Sequence, residues 1–382
     1  METYDVVIIG AGSIGTPLSY YLTRSGLRVI VLEQLASVGR GQNRAAIGGI
    51  RATHSDYAKA KVCRRTIEII SRFLTEFGSE VDWIAGGYLY PIYDDKNEAE
   101  FKQLIQFQKS LGLKVDWIDP DEIEKLVPGI NSENLRGGSY SSEDGSASPL
   151  KVADAYYQLA RRQGAAFRFL EPVTGFKWNQ NKITTIITTK STYSCRWVIN
   201  AAGAYARRIG EMLELDLPVF PESHEGGITE PVSRFFAPMI VDVRPDSESS
   251  NYYFYQNSEG QVVFCITPEP KIAGTDCDST SNFLPLVTKR MLSLYPRLRH
   301  LRVRRTWRGL YPATPDGSPI VGFTHQFCNL FLAIGMCGQG FMIGPGLGAI
   351  IAEILTDNTH KYDEILDQWN LYRNFTGQEI LK

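Results

Sequence analysis

A mixed fold, α/β with an added α+β part, is predicted for this 382-residue chain by three features: a strand–glycine–helix passage at its start, a second such passage near its end, and strand-like segments between them. Val6-Val7-Ile8-Ile9 is short, continuous and β-branched, as suits a parallel strand buried on both faces. Gly10-Ala11-Gly12-Ser13-Ile14-Gly15 follows at once. Ile14, Leu18, Tyr21 and Leu22 then recur at helical spacing until Ser25-Gly26, and Arg28 to Glu33 reads as a second strand. Pro17 fits early in that helix, where the first amides have no intrahelical acceptor.

Strand, glycines, helix, strand and acid in this order make a Rossmann-type dinucleotide site. Gly10 serves the tight turn, Gly12 the close approach of a pyrophosphate, and Gly15 the packing of helix on strand. The helix N-terminus faces the phosphates. Glu33 stands where a carboxylate accepts hydrogen bonds from both hydroxyls of an adenosine ribose, and its charge disfavours a 2′-phosphate.

The other end of the chain bears on which dinucleotide it is. Asn329 to Gly335 reads as a strand, Met336-Cys337-Gly338-Gln339-Gly340 as a glycine loop, and Gly344 to Leu355 as a helix. A loop opening a helix beside a flavin pyrimidine offers amides and a positive dipole end to the charge that gathers there on reduction, which favours FAD. The same residues also read as a plain packing loop. No second GxGxxG follows a strand, so no NAD(P)H domain is expected and the electrons should come from a small substrate. Leu330 to Leu355 approaches the ~20 apolar residues of a membrane span. Gly335, Gly338, Gly340, Gly344, Pro345, Gly346 and Gly348 crowd its middle, so no transmembrane span is expected.

Composition narrows the rest. With 43% hydrophobic residues the chain fills more than one core, so two domains are expected. Forty basic against forty-two acidic side chains, without a long basic run, argue against nucleic acid. The cysteines, at 63, 195, 265, 277, 328 and 337, form no C-x-x-C pair and no group with the histidines, so neither metal nor disulfide is signalled. The N-terminus lacks a secretory pattern, and a cytoplasmic location is expected.

Further motifs carry a resemblance over almost the whole length: Asn43-Arg44, Gly48-Gly49-Ile50-Arg51, Glu143-Asp144-Gly145, Val198 to Ala204, Thr229-Glu230-Pro231, Trp307 to Asp316, and Gly335-x-x-Gly338-x-Gly340-Phe341-Met342. With the N-terminal fingerprint, the chain resembles the D-amino-acid oxidase superfamily, and within it sarcosine oxidase β subunits, dimethylglycine dehydrogenases and proline dehydrogenase β subunits. The resemblance implies that Gly10, Gly12, Gly15, Glu33, Arg44, Val173 and Gly203 surround the ADP half of FAD, and that Gly48, Gly49, Gly338, Gly340 and Phe341 flank the isoalloxazine. It extends the FAD set to Ser13, Ile14, Gln34, Arg40, Gly41, Asn43, Ala201, Ala202, Arg308, Gly335, Gln339 and Met342. It also implies a Rossmann-like FAD-binding domain of residues 1–80, 140–218 and 300–382, interleaved with an antiparallel-sheet substrate domain of 81–139 and 219–299. Segments Tyr88 to Tyr93, Phe220 to Thr229, Tyr252 to Gln256 and Gln261 to Thr267 read as that domain's strands. Asp119-Pro120 reads as a helix start.

The activity so implied is FAD-dependent oxidation of a small secondary or N-methylated amino acid to an imine, with oxygen, a quinone or a partner electron-transfer subunit as acceptor, in a homo- or hetero-oligomer. Oxidation of a 2-hydroxy acid or glycerol phosphate, and a role as one FAD subunit inactive alone, are the alternatives. Expected substrate contacts are Arg51, His54, His224, Tyr253, Tyr255, Arg308, Tyr311 and Met342. Arg51 and Arg308 read equally as structural ion-pair residues and His224 as a structural histidine. Of Tyr253 and Tyr255, which flank Phe254, one should face the core. Monomeric sarcosine oxidases carry basic residues at the positions of His54 and Met342, and glycine oxidases an arginine at Tyr311, so the carboxylate must be gripped differently here. The cysteine that tethers flavin in monomeric sarcosine oxidases is missing around Tyr311 to Thr314, which implies non-covalent FAD.

Overall fold

The computed structural model describes residues 2–357 and 359–377. Strand Glu2–Ile9 lies inside an eight-stranded sheet, paired in parallel with Val29–Leu32 on one side and Thr192–Asn200 on the other. Leu330–Ile334 and Ala166–Arg168 extend it in parallel, Ile320–Phe323 closes one edge antiparallel, and the hairpin of Val173–Asn179 and Lys182–Thr188 hangs on Thr192–Asn200. The second half of the first strand, residues 6–9, is apolar and buried because each face has its own core. Val6 and Ile8 pack with Leu18 and Leu347, while Val7 and Ile9 pack with Phe176 and Leu332. Each such side chain contributes about 1.5–3 kcal/mol by leaving water.

Helix Gly15–Arg24 follows the first glycine turn, with Pro17 in its first turn as expected. Helix Gly340–Asp357 begins earlier than the expected Gly344. Its glycines serve contact rather than a loop: a Cβ on Gly344 would overlap the Ser13 carbonyl oxygen, and one on Gly346 the Val62 carbonyl oxygen of helix Tyr57–Ile70. Backbone-to-backbone packing thus outweighs the ~1 kcal/mol that glycine costs in a helix. By length and composition this helix could cross a membrane, and most of it is buried inside the fold.

The second sheet, also of eight strands, runs in the order Val303–Ala313, Phe220–Thr229, Val262–Pro268, Ser249–Gln256, Met239–Asp242, Tyr88–Ile92, Gly137–Ser141, Val115–Ile118. All its pairs are antiparallel except Met239–Asp242 with Tyr88–Ile92. Asp119 caps helix Pro120–Leu126 through a capping box. The strands expected here are present, with ends moved by up to three residues. Two strands cross the expected limits: Val303–Ala313, allotted to the nucleotide part, pairs along its length with Phe220–Thr229, and Gly137–Ser141 straddles the limit at 139/140. Residues 1, 358 and 378–382 of the expected nucleotide part lie outside the described residues. A short ribbon of Gly49–Ile50 with Gly145–Ser146 completes the frame of the site.

Candidate active site

A cavity of about 980 Å³ takes its lining from both sheets. At one end stand Gly10, Gly12, Ser13 and Ile14 of the first turn, Glu33 and Gln34 after the second strand, Gly41 and Asn43, Val173, and Ala201, Ala202 and Gly203. Gly10 has φ +107°, and a Cβ there would sit 2.5 Å from the Ala201 carbonyl oxygen. A Cβ on Gly12 would meet nothing within 4 Å, so the room beside it belongs to the cavity. Glu33 accepts the amides of Ala11 and Leu35, each at 2.8 Å, which fixes its carboxylate at the cavity wall. A pyrophosphate beside Gly12 and a ribose at Glu33 fit these surroundings.

Toward the other end the lining passes to Gly48, Gly49, Gly338, Gln339, Gly340, Phe341 and Met342. The Tyr311 ring packs on Gly338, where a Cβ would overlap it. Tyr311 and Tyr253 hold their hydroxyls 3.0 Å apart, and His224 stacks on Tyr311 with centroids 3.7 Å apart at 17°. Burial raises the pKa of both tyrosines far above the usual phenol value. Arg51 is buried and donates from Nη1 to the Thr53 carbonyl at 2.6 Å. Behind it the buried Asp144 carboxylate accepts the Ala52 amide at 2.8 Å and the Thr53 hydroxyl at 2.7 Å, so the turn that aims Arg51 is tied down. Burial pushes the Asp144 carboxyl up, against the pull of those donors and of Arg51.

Seven expected residues do not reach this cavity. Gly15 packs against the Gly10 carbonyl, and Gly335 (φ +69°) turns the chain against Thr314. Arg40 and Arg44 are exposed, Arg44 at the rim of a separate cavity of about 170 Å³. His54 is fully buried, its carbonyl accepting from Gln108. Tyr255 donates its hydroxyl to the Ile47 carbonyl at 2.8 Å, since position 255 lies one strand repeat beyond Tyr253, over the loop rather than the open space. Arg308 points to the other face of its strand and binds Asp276 at 2.9 Å.

The cavity also includes residues that the sequence did not single out, among them Tyr88, Tyr90, Glu222, Cys265, Glu269 and Lys271. Glu222 was within reach of sequence reasoning, being two residues from His224 on one strand face. The neighbouring His224 ring lowers its pKa against the effect of burial, and Lys271 adds to the lowering.

The profile of the DAO family, described as FAD dependent oxidoreductase, matches residues 5–354. The chain belongs to the DAO family. It is an FAD-dependent oxidoreductase, and the glycine turns and Glu33 described above fit that cofactor. Human mitochondrial dimethylglycine dehydrogenase is 24% identical over 388 residues, covering 97% of this chain and 45% of that protein. The chain thus spans about half the length of the first curated relatives it matches. Subunit HcnC of the Pseudomonas aeruginosa hydrogen cyanide synthase is 25% identical over 406 residues, covering 95% of this chain and 94% of its own. Among solved structures, L-proline dehydrogenase from P. horikoshii superposes with a TM-score of 0.91 at 29% identity, covering 97% of this chain and 98% of its own.

Proposed function

We propose that this chain oxidises a small secondary or N-methylated amino acid, of the sarcosine, dimethylglycine or proline type, with loss of the α C–H as hydride to give an iminium ion, which a secondary amine turns into the imine by shedding its N–H proton. The observation that carries the reading is the convergence of Arg51, Tyr253, Tyr311 and His224 on one space beside the Gly49 and Gly338 loops. Acceptance of the hydride at N5 is the chemistry that FAD supplies when bound. Glu33 would hold the ribose, the Gly10–Gly15 turn the pyrophosphate, and the loop opening helix Gly340–Asp357 the pyrimidine, where amides and a positive helix end favour negative charge. The first sheet then serves the cofactor and the second the substrate.

The side chains orient rather than abstract. Arg51 offers a cation to the substrate carboxylate, and the two phenols, kept neutral by burial, act as hydrogen-bond donors. An amine bound in its neutral form needs no strong base to release its α hydride. The names of the dimethylglycine dehydrogenase and proline dehydrogenase relatives support this substrate class. Among the described residues the cysteines form no disulfide, which suits a reducing, cytoplasmic setting.

Anaerobic mixing of the purified yellow protein with sarcosine, dimethylglycine and proline tests the reading. Bleaching of the flavin band is expected with at least one of them. Bleaching by a 2-hydroxy acid or glycerol phosphate alone defeats it. A second reading, that the chain is the FAD subunit of a larger dehydrogenase, draws on HcnC and on Rhodobacter capsulatus sarcosine oxidase subunit beta, each named as a subunit and each covered over at least 90% of its length. Gel filtration beside turnover with oxygen, a quinone and an artificial dye separates a self-sufficient enzyme from such a subunit.

A further inference from the structure

Among the described residues, the substrate part of the cavity has two cationic side chains at its lining, Arg51 and Lys271. They differ in setting. Arg51 is buried with one guanidinium nitrogen committed to the Thr53 carbonyl. Lys271 stands half-exposed on the segment 269–282, which joins strand Val262–Pro268 to helix Phe283–Leu294 and of which Glu269 and Lys271 line the cavity.

That segment has little regular structure, yet it is fastened from below. Arg308 holds Asp276 and the Asp278 carbonyl at 2.9 and 3.0 Å, and Glu225 accepts the Thr280 amide and hydroxyl at 2.8 and 2.6 Å. The Ser223 amide and hydroxyl bind the carbonyls of Ile272 and Asp276, both at 2.7 Å. Two residues of one strand, Ser223 and Glu225, and one arginine therefore pin the strap, and its start, Glu269 to Lys271, lines the cavity. Lys271 Nζ rests 3.3 Å from Glu222 Oε1, and Glu222 Oε2 lies 3.9 Å from His224 Nε2.

An amino-acid carboxylate presents about four lone-pair sites, more than the remaining donors of one arginine serve in a plane. Neither Met342, which is uncharged, nor His54, which is enclosed behind the wall, adds a cation. A lysine on a flexible stem exchanges one carboxylate for another while its ammonium stays partly hydrated, at small cost. We propose that Lys271 is a substrate-carboxylate contact, parked on Glu222 in the absence of substrate and moving to the same amino-acid carboxylate that meets Arg51 and Tyr311. The contact rests on the amino-acid reading above. The strap supplies the position, and Arg308 serves it as a positioning residue.

The test compares FAD-loaded wild type, Lys271→Ala, Lys271→Gln and Lys271→Arg. One measurement is the Kd of propionate, a carboxylate with no C–N bond to oxidise, from the shift of the flavin band. The other is KM and kcat for the best amino acid and for its primary amide. Loss of a partly exposed charge-assisted contact should raise the propionate Kd and the amino-acid KM about tenfold in the Ala and Gln variants, with kcat within about twofold. Lys271→Arg should restore most of the loss, and the preference for acid over amide should shrink by the same factor. An unchanged propionate Kd, or an amide that suffers as much as the acid, overturns the proposal. A wild type that no amino acid bleaches, but whose propionate affinity depends on Lys271, defeats the amine reading and leaves the carboxylate contact standing. Bleaching with a propionate Kd indifferent to Lys271 does the reverse.

Discussion

Tyr253 and Tyr311 place two hydroxyl oxygens 3.0 Å apart at the cavity wall, and two phenols so joined have one proton between them and one to spare. Burial is the largest cause of the rise in both pKa values, with the Cys265 thiol next to each, so both rings stay protonated wherever the fold survives. The pair can therefore offer a proton to a substrate atom that reaches it. Tyr253→Phe leaves Tyr311 without its partner, and a buried hydrogen bond left unmade costs about 1–3 kcal/mol. We expect kcat/KM to fall about tenfold while its pH profile over about pH 6 to 9 keeps its shape, because neither phenol titrates there. A new limb in that profile would show that Tyr253 had been holding a titrating group. At this scale Arg51, His224, Tyr253 and Tyr311 were legible in the sequence from residue type and motif. Lys271 was not, since its place depends on how an irregular segment folds back over the sheet.

Between residue and molecule, the decisive contact is helix Gly340–Asp357 against the first glycine turn. Its hydrophobic pattern was visible, but its true start was masked because Gly338, Gly340 and Gly344 follow one another as a loop would. The physical reason for Gly344 is close approach to Ser13, which no local rule reveals. Strand Val303–Ala313 escaped for a different reason: its arginine-rich start hides the period of two, and only pairing with Phe220–Thr229 makes it extended. The buried half of Glu2–Ile9, residues 6–9, and the strands Val29–Leu32 and Leu330–Ile334 were plain because burial on both faces leaves no polar residue there to blur them. Gly344→Ala tests the contact. Forcing a methyl against the Ser13 carbonyl should destabilise by about 1–3 kcal/mol. Because Ser13 lines the cofactor end, FAD should bind more weakly in the variant, read by fluorescence titration of the apoprotein. Wild-type FAD affinity together with a lowered melting temperature would confine the glycine's role to packing.

For the whole molecule, the two sheets meet across the space that the cofactor is to fill: Gly12 and Glu33 come from one, Tyr88, His224 and Tyr311 from the other. The sequence made this interleaving legible only through its family resemblance, since five separate stretches of chain must return to two sheets. A ligand that binds the folded protein alone stabilises it by RT ln(1 + [L]/Kd), about 2.7 kcal/mol at a hundredfold excess over Kd. Spread over a chain of this size that amounts to a melting temperature several degrees higher. The gain should follow the logarithm of FAD concentration, because the cofactor is expected to be dissociable. The stretch Tyr311 to Thr314 offers no thiol for a tether. Two measurements decide it: acid precipitation should release the yellow colour into the supernatant, and the stripped protein should melt lower, regaining its temperature as FAD is added back. Flavin that stays with the precipitate would mean a covalent link at one of the cavity's own side chains. Equal melting with and without flavin would mean that the sheets hold each other without help from the ligand between them.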